Sequence, residues 1–348
     1  MSRKEERTKA KKKSIKVKLF KTIVVLMILG IVSGLTLLYG PWNGFRDWLI
    51  TTAMTTLSHQ WMATIFYSDE TIQTVLSNNM VVETGETTNT EEIEIVAEIE
   101  EVYENEYEEA VLKRDEENDL YKVIEIEGKG YTGHLVVVYD PSKISVCTTK
   151  YLGTKGQYLV DMAAENDAVV AINGGGFIDP NYNSLGGVPQ GIVIKDGKII
   201  SNRTYKKTGG IIGFTEDNKL ILGKMTAQQA LNKGVRDAVT FGPFLIVNGK
   251  PSFIKGNGGW GTAPRSAIGQ RQDGIVLFLV IDGRMVGRPG ADMVDLTEIM
   301  QNYGAYNAAN LDGGSSTTLV VNGKVHNNPC STTDSGQRYL PVALVIKE

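Results

Sequence analysis

The pattern of hydrophobic and polar positions divides the chain into a membrane-length apolar run, a helical segment and a folded domain. The uncharged run TIVVLMILGIVSGLTLLY covers residues 22–39 and is long enough to cross a bilayer. Residues 44–79 then repeat apolar side chains every three or four positions, which predicts an amphipathic helical segment. From residue 121 onward, short β-prone runs alternate with glycine-rich turns, which is typical of a compact domain at 121–348.

Charge around the apolar run predicts its orientation. Residues 1–21 are rich in Lys and Arg, so the positive-inside rule predicts a basic cytoplasmic tail and an extracytoplasmic C-terminal domain. A basic N-terminus could instead suggest nucleic acid, but this one abuts the apolar run, so we expect no nucleic-acid partner. A cleaved signal peptide is the alternative; the run is long for one, and no small-x-small cleavage site follows directly. The sequence therefore favours an uncleaved single-pass anchor in the cell membrane at residues 22–39.

Two segments separate the anchor from the folded domain. The apolar stripe of residues 44–79 requires a partner, which could be its own copy, the folded domain or the membrane surface; self-association is thus one open alternative. Residues 80–120 are rich in Thr and Glu and contain few aromatic residues. Such a composition predicts a solvated acidic spacer, partly helical.

The folded domain is predicted to be α+β, with a mixed, largely antiparallel sheet and short flanking helices. Tight hairpin turns are predicted at three dipeptides, Asp196-Gly197, Asn248-Gly249 and Asn322-Gly323. Short helices are predicted within residues 156–165, 226–234 and 296–304. The composition, with 42% hydrophobic and 22% charged residues, is that of a folded protein.

Candidate chemistry clusters where apolar strands end. The strand 168–172 runs into Asn173 and three glycines, the strand 274–281 into Asp282-Gly-Arg, and another into NLDGGSS from residue 310. Each motif alone is more often a turn, but its threefold recurrence indicates a site. If the strands share a sheet edge, two carboxylates, an amide and a guanidinium converge on a glycine-lined cleft.

The candidate residues fall into two groups. Candidate catalytic residues are Asp312, Asp282 and Arg265, the last projecting from an apolar segment after Pro264. Candidate substrate-binding residues are Asn173, Gly174, Gly175, Arg284, Asn310, Gly313, Gly314, Ser315 and Ser316.

Other catalytic arrangements have weaker support. Walker-type loops and zinc-ligand spacings are lacking, and a Ser-His-Asp triad would have to use His326 without any Gly-x-Ser-x-Gly elbow. No cofactor is required by the sequence, although a divalent metal ion beside Asp282 and Asp312 is an alternative. Cys147 and Cys330 could form a disulfide outside the cytoplasm or remain two thiols.

Four motifs taken together resemble the phosphodiester glycosidase family. They are INGGGF at 172–177, PRSAIGQ at 264–270, VIDGR at 280–284 and NLDGGSSTT at 310–318, in the expected order. The resemblance covers roughly residues 121–347 and none of the N-terminal segments. It implies an α+β domain that hydrolyses a sugar–phosphate diester. Bacterial relatives are often labelled exopolysaccharide-biosynthesis proteins, which suggests a polysaccharide substrate or an envelope role.

The chemistry of such a cleavage suggests roles for these residues. Because the departing phosphate monoester has a second pKa of about 6, it needs little help from a general acid. Arg265 and the N–H groups of residues 313–316 suit the negative diester, while Asp282 or Asp312 would activate water or attack the sugar. Asn173 would orient sugar hydroxyls or water. The competing hypotheses are a glycan-binding module without activity, and a scaffold whose working parts are residues 44–79 and the spacer.

Overall fold

The computed structural model describes residues 3–56, 59–96, 103–115, 118–179, 185–203 and 209–348. The helices in these ranges are α1 (Arg3–Tyr39), α2 (Asn43–Thr55), α3 (Trp61–Thr64), α4 (Asp69–Asn78), α5 (Glu106–Leu112), α6 (Leu159–Glu165), α7 (Ala227–Asn232) and α8 (Met293–Asn302). The strands are β1 (Met80–Val82), β2 (Tyr121–Gly128), β3 (Tyr131–Val138), β4 (Ile144–Thr148), β5 (Ala168–Asn173), β6 (Ile192–Lys195), β7 (Lys198–Asn202), β8 (Gly210–Thr215), β9 (Leu220–Gly223), β10 (Val235–Phe241), β11 (Phe244–Val247), β12 (Lys250–Pro251), β13 (Phe253–Lys255), β14 (Arg265–Gln270), β15 (Val276–Ile281), β16 (Asn307–Asn310), β17 (Leu319–Val321), β18 (Lys324–Val325) and β19 (Val342–Lys347).

Three larger antiparallel sheets build the domain. A seven-stranded sheet has the order β12-β11-β16-β14-β15-β3-β2, and two five-stranded sheets have the orders β18-β17-β5-β19-β4 and β7-β6-β10-β8-β9. The described strand pairings are all antiparallel, including that of the short pair β1 and β13. The predicted α+β class is confirmed, and the hairpin turns lie where expected, but the single predicted sheet is three sheets.

The main core lies among these sheets. Val136, Phe278 and Ile268 from the seven-stranded sheet pack in one cluster with Ile172 and Phe214 from the other two. The opposite face of the seven-stranded sheet packs against α8. Since both faces are covered, β15 is buried along its whole length and reads as a continuous apolar run.

The order of the central strands brings three candidate residues to one sheet edge. Strand β14 lies between β15 and β16 and is antiparallel to both. Strands β15 and β16 therefore run in the same direction and end at the edge where β14 begins. Arg265, Asp282 and Asp312 consequently lie at that edge, as predicted. Strand β5, which ends at Asn173, belongs to another sheet. The prediction that β5 ends at the same sheet edge was therefore wrong.

The N-terminal region combines a long apolar helix with a small helical unit. Helix α1 contains, at Ile15–Tyr39, one stretch long and apolar enough to cross a membrane. The stripe predicted at 44–79 forms α2, α3 and α4 rather than one helix, and residues 57 and 58 lie outside the described ranges. Its apolar side chains bury one another in a separate cluster, with Ile50, Ala63 and Ile72 at its centre.

The prediction of a solvated spacer at 80–120 was wrong for much of this segment. Strand β1 pairs with β13, and Ile93 is fully buried. Val111 and Leu112 of α5 join the cluster beneath the seven-stranded sheet. The acidic composition masks single apolar residues that pack on the domain, such as Ile93, whose neighbours Glu92 and Glu94 are exposed. Residues 97–102 and 116–117 lie outside the described ranges.

Candidate functional site

The loop after β16 carries Asp312 and is held from the neighbouring sheet. The backbone N–H of Gly313 donates to Asp312 Oδ1 at 3.0 Å, and the Ser316 hydroxyl also hydrogen-bonds this carboxylate. The Asp312 carbonyl accepts from Asn173 Nδ2 at 2.6 Å, while its N–H donates to the Gly174 carbonyl at 3.2 Å. These contacts fix the carboxylate at the sheet edge before any ligand arrives.

Asn173 has its polar atoms engaged within the protein. Its side-chain oxygen accepts from Ser266 Oγ at 2.7 Å and from the Thr318 N–H at 3.1 Å, and the side chain is fully buried. The following glycines are also buried, and a Cβ on Gly175 would lie 2.6 Å from the Thr240 carbonyl oxygen. Close packing therefore accounts for Gly175, and the contacts of Asn173 are those of a clamp on the Asp312 loop.

Arg265 is buried without a carboxylate partner among the described residues. Its side chain is 4% exposed. Its guanidinium donates to three backbone carbonyls, those of Trp260, Gly261 and Ala291. Burial, together with the nearby positive charge of Arg284, lowers the pKa of Arg265 to about 10, against the opposing effects of the Asp292 and Asp312 carboxylates. The side chain is still a cation at neutral pH, which makes this edge of the sheet suited to an anion.

A second guanidinium, that of Arg284, approaches the same glycine turn. A Cβ placed on Gly313 would lie 3.7 Å from Arg265 Nη1, and one placed on Gly314 would lie 3.0 Å from Arg284 Nη2. Arg284 is exposed and, like Arg265, has no ion pair within the described part of the chain. Two like charges thus flank one closely packed glycine turn.

Asp312 is partly exposed and has a perturbed acidity. Burial raises the pKa of its carboxyl to about 6, against the opposing effect of hydrogen bonds from Ser316 and the Gly313 N–H. The positive charges of Arg338 and Arg265 also oppose the rise. A carboxyl with such a pKa beside cations suits acid–base or nucleophilic chemistry near neutral pH.

Asp282 lies at the same sheet edge, but its carboxylate is bound by a different segment. Asn327 Nδ2 and the Asn328 N–H donate to its Oδ1 at 3.0 and 2.9 Å, and Asn328 Nδ2 donates to its Oδ2 at 2.9 Å. Nearby, the rings of His134 and His326 lie 4.6 Å apart. Burial lowers the pKa of His134, with a further contribution from His326. The hydrogen bonds from Asn327 and Asn328 suit Asp282 to holding the 327–328 segment.

The remaining predicted residues lie around the loop. Asn310 is buried and donates from Nδ2 to the Gly242 carbonyl at 2.9 Å. Gly314, Ser315 and Ser316 form a single 3-10 turn directly after Gly313. No group of three or more His, Cys, Asp or Glu side chains suited to a metal ion occurs in the described ranges. A divalent ion at Asp282 and Asp312 stays a prediction.

The two cysteines are free thiols. Cys147 is buried on β4, whereas the Cys330 sulfur lies 3.8 Å from Arg284 Nη1 and 3.7 Å from the Gly314 carbonyl oxygen. Of the two alternatives that the sequence left open, the structure has the pair of thiols.

Sequence reasoning missed Arg338, whose positive charge acts on Asp312, and several aromatic contacts of the domain. Arg338 forms an ion pair with Asp179, and its guanidinium lies 5.1 Å from the centre of the Phe177 ring. The rings of Phe241 and Trp260 lie 6.0 Å apart. Arg338 and Asp179 are 159 positions apart and carry no local motif, so no sequence signal would have paired them.

Comparison with known proteins places this site within one family. The family model of the phosphodiester glycosidases matches residues 166–347, slightly more than half of the chain. An uncharacterized SPbeta prophage-derived protein of Bacillus subtilis, YomE, is 32% identical over 200 residues, covering 55% of this chain and 30% of its own length. The N-acetylglucosamine-1-phosphodiester alpha-N-acetylglucosaminidase of Mus musculus is 25% identical over 237 residues, covering 60% of this chain and 43% of the mouse protein.

A solved structure shares the fold. It is the zebrafish N-acetylglucosamine-1-phosphodiester alpha-N-acetylglucosaminidase catalytic domain, auto-inhibited by its pro-peptide. Its TM-score is 0.54 at 22% identity, and the match covers 66% of this chain and 82% of that one. The chain spans less than half the length of the two curated relatives above. The match to the family model contains every candidate site residue from Asn173 to Ser316. The chain therefore belongs to the phosphodiester glycosidase family.

Proposed function

We propose that this protein is a membrane-anchored hydrolase that cleaves the glycosyl C–O bond of a sugar–phosphate diester. The family assignment supports a glycosidase, and the activity for which the mouse relative is named supports a sugar–phosphodiester substrate. The apolar stretch Ile15–Tyr39 supports a membrane anchor, and the basic residues before it support an extracytoplasmic domain. The metabolic setting we propose is envelope or exopolysaccharide metabolism.

The observation that carries this proposal is the pair of guanidinium groups beside the Gly313-Gly314 turn. Neither Arg265 nor Arg284 has a carboxylate partner among the described residues. Arginine binds phosphate oxygens through paired, charge-assisted hydrogen bonds, and a phosphodiester would supply the missing negative charge. An uncharged glycoside would leave both guanidinium groups without an ion-pair partner, so the site favours the charged substrate.

Asp312 is the carboxylate best suited to act on the sugar. With a pKa of about 6 it is largely ionised at neutral pH, although burial disfavours that form. It would either activate water or attack the anomeric carbon as positive charge develops there. The phosphate monoester leaves without strong protonation, because its second pKa is about 6. We assign Asp282 to positioning the Asn327–Asn328 segment at the same edge.

Release of sugar from defined diesters tests the proposal. The full-length chain in detergent is incubated with a panel of GlcNAc-α-phosphodiesters, and free sugar and phosphate monoester are measured. We expect equal amounts of the two products from the wild type and none from Asp312→Asn. A parallel incubation with EDTA tests whether a divalent ion takes part. Binding of the diesters without release of sugar would indicate that the protein is a glycan-binding module and not an enzyme.

A further inference from the structure

Helix α2 precedes the family-matched region, yet it contacts the loop that holds Arg265. This loop, residues 256–262, connects β13 to the segment before β14, and we call it the Arg265 loop. Its carbonyl groups at positions 260 and 261 accept hydrogen bonds from the Arg265 guanidinium. Helix α2 packs along the same loop. An element outside the family-matched domain therefore lies next to the support of a candidate site residue.

Side chains of α2 bind both ends of the Arg265 loop. Thr51 Oγ1 accepts from Asn257 Nδ2 at 2.8 Å, near the start of the loop. Thr52 Oγ1 accepts from the Thr262 N–H at 3.4 Å, at its end. Together these contacts tie the loop to the helix over most of its length.

One oxygen atom links the helix directly to the arginine. The Trp260 carbonyl oxygen accepts from Arg265 Nη2 at 2.5 Å and lies 3.1 Å from Thr55 Oγ1, whose single proton it shares with the intrahelical carbonyls of Thr51 and Thr52, each at 3.0 Å. A carbonyl oxygen has two lone pairs and can accept both bonds. The oxygen that orients the guanidinium is thus itself held by α2.

The backbones of the helix and the loop are also in close contact. Gly261 has a φ of +60°, and a Cβ on it would lie 2.4 Å from the Thr52 Cα. Its carbonyl accepts from Arg265 Nη2 at 2.6 Å. Only glycine combines this backbone conformation with such an approach. A shift of α2 would therefore move the carbonyl that holds the guanidinium.

We propose that α2 is a positioning element of the active site, which sets the orientation of the Arg265 guanidinium through the carbonyls of Trp260 and Gly261. The inference deepens the proposed function and rests on it, because it concerns how the phosphate-binding arginine is held. Arg265 has no carboxylate within the described chain to orient it, so these carbonyls are its main directional contacts. Thr51 and Thr55 are the positioning residues.

Kinetics on charged and uncharged substrates form the first test. Thr51→Val/Thr55→Val removes the two hydroxyl groups from the full-length chain while keeping side-chain volume. We expect kcat/KM on a GlcNAc-α-phosphodiester to fall about two- to tenfold, as for loss of neutral hydrogen bonds, with a smaller loss on an aryl glycoside of the same sugar. The control Thr64→Val/Thr74→Val, at exposed positions on α3 and α4, should leave both values unchanged.

A chemical readout tests the inference without requiring activity. Phenylglyoxal modifies accessible guanidinium groups, and mass spectrometry reports the rate at Arg265. We expect this rate to rise severalfold in Thr51→Val/Thr55→Val and to stay at the wild-type value in the control variant.

The two readouts separate failure of this inference from failure of the proposed function. If the wild type releases no sugar from any diester, the proposed function fails, and the modification rate alone decides whether α2 holds Arg265. An unchanged rate in Thr51→Val/Thr55→Val would overturn the inference. Equal loss of kcat/KM on both substrates would also overturn it, because it would indicate general loosening of the fold.

Discussion

At the scale of single residues, the site holds two charged groups in surroundings that oppose their charge. Arg265 is buried among backbone carbonyls, and Asp312 has its pKa raised by burial. A buried charge without a paired countercharge costs free energy of folding, so a substrate that supplies the countercharge recovers part of that cost on binding. The residues most costly to keep ionised are thus those best placed to act on a diester.

The first prediction concerns Arg265→Ala. Removal of a charge-assisted hydrogen bond to phosphate should lower kcat/KM on a GlcNAc-α-phosphodiester by about one to two decades. The loss on an uncharged aryl glycoside should be much smaller, since that substrate has no phosphate for the arginine to bind. Steady-state kinetics on both substrates measure the difference. Equal losses would leave Arg265 with a purely structural role.

The second prediction concerns the pH dependence of activity. If ionised Asp312 acts on the sugar, kcat/KM should rise with pH through about 6 and then level off. The profile is measured on an uncharged aryl glycoside, so that the ionisation of a phosphate does not contribute. A decrease in kcat/KM above pH 6 would instead assign Asp312 as a general acid.

The third prediction concerns the stability cost of the same carboxylate. Its folded-state pKa of about 6 lies above the ordinary value, so the group favours folding below about pH 4, and this contribution is lost as pH rises through 6. Asp312→Asn should therefore be more stable than the wild type at pH 8, by up to about 3 kcal/mol, and the gain should vanish near pH 4. Urea denaturation at both pH values measures it. A variant less stable than the wild type at pH 8 would show that the carboxylate's hydrogen bonds outweigh its desolvation.

At the scale of secondary structure elements, the sequence predicted local structure better than packing. The hairpin turn at Asn322-Gly323 has positive φ at both residues, as its dipeptide predicts. Helix α8 and the buried strand β15 also follow from their periodicity. The docking of the segment from β1 onward could not be predicted, because it depends on contacts with residues over a hundred positions away. The splitting of 44–79 into three helices was missed although its apolar cluster is local, since the three- and four-residue spacing of apolar positions continues across the breaks.

The fourth prediction tests the docking of the acidic segment. Ile93 is fully buried although Glu residues surround it in sequence. Ile93→Ala should lower the free energy of unfolding by about 2–5 kcal/mol, as truncation in a packed core does. Ile95→Ala is the matched control, because its side chain is 42% exposed, and it should change little. Urea midpoints of the full-length chain in detergent measure the effects of both substitutions. Equal, small effects would support the prediction of a solvated spacer instead.

At the scale of the whole molecule, the candidate site shows which features sequence can reveal. The motifs that contain Asp282 and Asp312 indicated the sheet edge because local residues supply its carboxylates and turns. Arg338 and the contacts of α2 were missed, since they reach the site from distant parts of the chain. Close in space but far apart in sequence, such residues leave no pattern that periodicity or motif spacing can detect.

The last prediction concerns topology. Because Lys and Arg crowd the residues before the apolar stretch, we expect the domain from residue 121 onward to lie outside the cytoplasm. Protease added to intact cells should then degrade this domain, detected by an antibody to its C-terminus, while a cytoplasmic marker survives. Replacing Lys11, Lys12 and Lys13 with Glu weakens the charge bias, so part of the population should insert in the opposite orientation and become protected. Full protection of the wild-type domain in intact cells, with degradation only after lysis, would place the candidate active site in the cytoplasm and exclude an envelope substrate.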